Sequence, residues 1–171
     1  MAWPAAAALV LGVAVVQPGF SVDRVDLNDA SVWLTNEAEG KLGRYNVPIK
    51  ELTGGVRGGD AEFDVLQDAS DIVLDGASGL RVVDPAAVEP GEPVGLPPKH
   101  SAALGAGVAA VVDEATGLAW ARTVDKLPGL RTASDKADFE LGVGGRATVG
   151  VDGTVFAVSH DAGRVAVRWP G

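Results

Sequence analysis

Four glycines recur along this 171-residue chain at nearly constant distance: Gly40, Gly79, Gly117 and Gly163, spaced by 39, 38 and 46 residues. Each closes the same local plan. A run rich in branched residues enters an acidic turn, the glycine ends the turn, and a second alternating run follows. The four segments are Ser31-Val-Trp-Leu-Thr-Asn-Glu-Ala-Glu-Gly40 leading to Leu42 and Tyr45, Asp71-Ile-Val-Leu-Asp-Gly-Ala-Ser-Gly79 leading to Val83, Val108-Ala-Ala-Val-Val-Asp-Glu-Ala-Thr-Gly117 leading to Thr123, and Thr154-Val-Phe-Ala-Val-Ser-His-Asp-Ala-Gly163 leading to Trp169. The acidic and amide side chains of such turns accept backbone hydrogen bonds, and the glycine supplies a positive φ. A supersecondary unit returning at this period cannot bury its apolar face alone, so neighbouring units must stack.

The last unit is the most legible. Arg146 to Val151 alternates, Asp152-Gly153 forms a two-residue hairpin turn, residues 154–159 run back, and residues 164–169 make a third strand. Three successive antiparallel strands in a period of roughly 40–45 residues describe a propeller blade. The Pro-rich stretches 85–98 and 126–130 fall where an outer strand and crossover belong. The expected fold is therefore all-β: about four β-propeller blades, near 21–56, 60–97, 98–130 and 140–171, forming an incomplete propeller. A β-sandwich is the alternative, but it does not require one motif to return at this spacing.

Composition agrees. Aromatic residues make up 5% of the chain while 23 glycines and 10 prolines interrupt the Ala- and Val-rich runs, a pattern of short strands and turns rather than long helices. Residues 1–16, MAWPAAAALVLGVAVV, carry no charge. The run is shorter than the roughly 20 residues that span a bilayer and suits the apolar core of a signal peptide. Residues 1–20 are expected to be a signal peptide or signal-anchor, residues 21–171 the repeat region, and the protein extracellular or held at the cell surface, meeting membrane only through this N-terminal segment.

The stretch Gly19-Phe-Ser-Val-Asp-Arg-Val-Asp-Leu-Asn-Asp-Ala-Ser-Val-Trp-Leu-Thr-Asn36, with Gly43-Arg-Tyr-Asn-Val-Pro-Ile49 after it, resembles large exported actinobacterial proteins. In those, an anchor precedes propeller-like repeats and fibronectin type III or Ig-like modules follow. The resemblance covers the N-terminal third closely and the rest in style. It implies a surface or secreted multidomain parent, sometimes linked to polysaccharide breakdown, and it supplies no catalytic residues. No fibronectin module is identified in this chain.

Function is bounded largely by what the sequence lacks. The net charge of −9 comes without a basic stripe, which argues against nucleic acid. There is no cysteine, hence no disulfide, thiolate ligand or cysteine nucleophile. Ser159-His160-Asp161 contains the residue types of a hydrolase triad, but adjacent side chains on a strand end diverge, so it reads as a turn. His100 in a Pro-rich connector reads as a solvated loop residue. Asp23, Asp26, Asn28 and Asp29 form one oxygen-rich cluster and Asp60, Glu62 and Asp64 another; neither has the spacing of a calcium loop. Asp113-Glu114 is a turn signal before it is an acid/base pair, and Gly142-Val-Gly-Gly145 opens no helix as a nucleotide loop would. Trp33, Trp120 and Trp169 are expected to pack between blades, an exposed tryptophan being instead a sign of sugar stacking. No catalytic, cofactor or metal residue is assigned. The expected function is a non-catalytic scaffold or binding module for a protein or carbohydrate ligand. The alternatives are part of a carbohydrate-active enzyme and a calcium-stabilised adhesin-like module.

Overall fold

The computed structural model describes residues 31–169; the apolar segment 1–16 and the cluster Asp23 to Asp29 lie outside them. The chain forms fourteen described β-strands in four antiparallel sheets, each a meander in chain order. The first sheet holds β1 (Ser31–Asn36), β2 (Lys41–Asn46) and β3 (Glu51–Arg57). The second holds β4 (Phe63–Asp68), β5 (Asp71–Gly76), β6 (Gly79–Asp84) and the short β7 (Glu89–Pro90). The third holds β8 (His100–Gly105), β9 (Val108–Asp113), β10 (Leu118–Thr123) and the short β11 (Phe139–Glu140). The fourth holds β12 (Gly145–Val149), β13 (Val155–Ser159) and β14 (Arg164–Arg168).

The four turn glycines all carry positive φ, from 58° at Gly40 to 109° at Gly79. Their hairpins are not equivalent, however. Gly79, Gly117 and Gly163 each close the second hairpin of a sheet, whereas Gly40 closes the first. A glycine-closed acidic turn marks a hairpin without marking which hairpin it is. The Asp152-Gly153 turn also differs from expectation. The register pairs Val149 with Val155, and Gly153 donates to the Gly150 carbonyl at 2.9 Å. Val151 and Asp152 are thus the central pair, and Gly153 follows them at φ 79°.

Side-chain alternation dictates how the sheets assemble. In β5, Ile72 and Leu74 point to the first sheet while Val73 points to the third. In β9, Val111 points to the second sheet and Val112 to the fourth. The two middle sheets are therefore apolar on both faces, which a half-buried strand pattern would not allow. Three cores result. Trp33, Leu42, Phe63 and Ile72 fill the first junction, Val73, Leu80, Val111 and Trp120 the second, and Val112, Ala119, Leu141 and Ala157 the third. The leading strands neighbour one another in turn, β1 with β4, β4 with β8, and β8 with β12. This is the stacking of propeller blades in an open arc, with no comparable contact from β12 back to β1 among the described residues. A sandwich would have one such junction between two sheets.

The connectors also take shape. The first supplies β7 and a bridge from Val94 to Leu80. The second begins with a 3-10 helix, Val124–Gly129, whose Leu127 plugs the second core, and reaches β11 at the outer edge of the third sheet.

Candidate functional site

The ends of the third and fourth sheets frame a cleft of about 280 Å3. Val108 and Val155 line its apolar side, Arg122, Lys126 and Arg168 its charged side, and the indole of Trp169, 70% exposed, stands at its rim. Asp138 lies behind the arginines. One of its oxygens accepts from the Ala121 N–H at 2.8 Å and from Arg122 at 2.7 Å, and the other pairs with Arg168. Burial works to raise the Asp138 carboxyl, but the Ala121 amide and the guanidiniums of Arg168 and Arg122 outweigh it and hold it below the usual carboxylate range. The local chain order makes this possible. β10 ends at Thr123 beside the cleft, and its amide at Ala121 anchors the residue that leads into β11.

A second cleft, between the second and third sheets, is lined by Glu62, Phe63, Asp64, Asp75 and His100. His100 Nε2 lies 2.8 Å from Asp75 Oδ1, and Nδ1 lies 2.7 Å from the Pro97 carbonyl oxygen. His100 is thus not a solvated loop residue. It opens β8, its side chain is 9% exposed, and it joins two sheets. Its partner stands 25 residues earlier on another sheet, which local sequence does not reveal.

The remaining candidates divide as follows. Ser159 donates to the Val143 carbonyl at 2.8 Å and accepts from the Ala162 N–H, while His160 is fully exposed; the three residues form a turn. Asp60 accepts from the Ser78 hydroxyl at 2.7 Å, and Glu62 and Asp64 are exposed. Asp113 accepts from the Ala115 amide and the Thr116 hydroxyl inside its turn, and Glu114 pairs with Arg146 across the third junction. Gly142 and Gly144 sit in the loop before β12 with positive φ. Among the described residues no three His, Asp or Glu side chains are grouped as metal ligands. Trp33 and Trp120 pack between sheets as expected, but Trp169 does not. It follows β14 and, among the described residues, stands largely exposed at the cleft between the third and fourth sheets.

A further surface lies on the outer face of the fourth sheet. Cross-strand pairing sets Phe156 beside Val167 and Val158 beside Val165, and all four are exposed. The first sheet presents Val32, Leu34 and Leu52 outward in the same way.

No protein-family model matches the chain, and no curated protein matches it. Among solved structures it is similar to hydrazine synthase of Kuenenia stuttgartiensis, at 16% identity and a TM-score of 0.46 over 82% of this chain. The match takes in 45% of that protein's chain, so this chain spans less than half its length.

Proposed function

We propose that the chain is a non-catalytic scaffold and binding module of a larger exported or surface-anchored protein, of the kind that carries fibronectin type III modules in actinobacteria. The observation that carries this reading is the outer face of the fourth sheet. Phe156, Val158, Val165 and Val167 occupy there the position that, in the three internal junctions, is covered by another sheet. Isolated apolar residues on a surface are ordinary, but a contiguous patch on a sheet is a docking face. The occupant is a further antiparallel sheet of the parent protein, because the three established junctions are sheet on sheet and this face continues their chemistry. The apolar leader, residues 1–16, supports export.

Sedimentation of the chain alone tests the reading. Deprived of its covering sheet, the chain self-associates as concentration rises, and the double substitution Phe156→Ser, Val165→Ser restores the monomer without loss of folded structure. A wild-type chain that stays monomeric throughout overturns the docking role of this face.

A further inference from the structure

We propose that the cleft between the third and fourth sheets binds a carboxylate-bearing sugar, one uronic acid unit of an oligosaccharide seated against Trp169. This site lies between the third and fourth sheets, and its charge is independent of what covers the outer face of the fourth.

Charge is the first argument. Arg122, Lys126 and Arg168 surround the cleft, and the carboxylate behind the two arginines, Asp138, has both oxygens engaged. Asp125, next to Lys126 in the chain, accepts from the Thr123 hydroxyl and offsets part of that lysine's charge without lining the walls, so three cations stand against two carboxylates. The cleft is thus cationic on a chain whose net charge is −9. The two guanidiniums are held by the shared Asp138, and Arg122 also donates to the Ala121 carbonyl at 2.8 Å; a guanidinium fork suits a carboxylate.

Shape is the second. A cleft of about 280 Å3 is at the small end of ligand pockets, with room for one ring rather than an extended cofactor. The Trp169 indole offers a flat apolar surface at the rim, and Val108 and Val155 continue it inward. A pyranose has one C–H face to lay on such a surface and hydroxyls at its edge. The backbone at Gly153 stands on the wall to meet them.

The experiment is calorimetric titration of the whole chain with three probes: a galacturonic acid trimer, the neutral galactose trimer of the same linkage, and sodium phosphate. The acidic trimer binds, and the neutral trimer binds roughly tenfold more weakly or less, because charge-assisted hydrogen bonds are lost. Trp169→Ala weakens the acidic trimer about tenfold, and Lys126→Gln weakens it about threefold. Both residues are exposed, so both variants keep the wild-type melting temperature. Four results each overturn the proposal: no binding of the acidic trimer, equal affinity for the neutral trimer, equal affinity for phosphate, or binding unchanged in Trp169→Ala.

Discussion

His100 and Asp75 form a bridge between two sheets: Nε2 of the imidazole, on the first strand of the third sheet, lies 2.8 Å from Oδ1 of the carboxylate on the second strand of the second. The other ring nitrogen faces the Pro97 carbonyl at 2.7 Å, so the ring is fixed at both ends. Truncating it leaves a partly buried carboxylate and a carbonyl without this partner. His100→Ala therefore costs about 1–3 kcal/mol, read as a lower urea midpoint with an unchanged slope.

The turn glycines are equivalent in sequence but not in surroundings. An alanine Cβ at Gly163, φ 60°, meets nothing within 4 Å, whereas at Gly117, φ 73°, it would lie 1.8 Å from the Gly142 carbonyl oxygen. Both substitutions force a left-handed backbone on alanine, about 1–2 kcal/mol. Gly163→Ala should lose only that amount. Gly117→Ala should lose clearly more, because the loop before β12 must move; equilibrium denaturation of the two variants makes the comparison.

Much of this fold was legible because hairpins are local. Alternation, an acidic turn and a closing glycine lie within about ten residues of one another, and the core positions Trp33 and Trp120 follow from strand parity. What escaped was set by distance in the chain. Gly40 has the same local signature as Gly117, yet its place in a sheet depends on which strands pair across the whole repeat. His100 finds Asp75 only through the stacking of two sheets. Trp120 lies three residues after its turn glycine and Trp169 six, and among the described residues no sheet packs over the latter, which is left 70% exposed. The cationic cleft escaped for the same reason, since Arg122 and Arg168 meet at Asp138 from different sheets.

Acid should loosen the third junction through Asp138. Its carboxyl is held below the ordinary value, so its contribution is complete above the unfolded value of about 3.9 and is lost as pH falls through the lower folded value. Asp138→Asn lowers the melting temperature at pH 7, and the gap from wild type narrows below about pH 4. Melting curves from pH 7 to pH 2.5 check this.

Asp71 behaves in the opposite sense. Burial, with Asp68 and Asp125 nearby, raises its carboxyl, and Asp68 is its cross-strand partner at the β4–β5 turn. Its charged form is disfavoured in the folded chain, so stability is lost as pH rises through the raised value. Asp71→Asn raises the melting temperature at pH 7, and the gain disappears below about pH 4.

The central claim is that the apolar face of the fourth sheet is a covered junction in the parent protein. The chain has no cysteine, so Val165→Cys, at a side chain 77% exposed, makes a single clean reporter. The measurement is the rate of maleimide labelling of that thiol in the protein as its own cells make it, against the rate in the isolated chain. The account predicts rapid labelling of the isolated chain at concentrations where it is monomeric and strong protection in the native protein. Equally rapid labelling in both would contradict it.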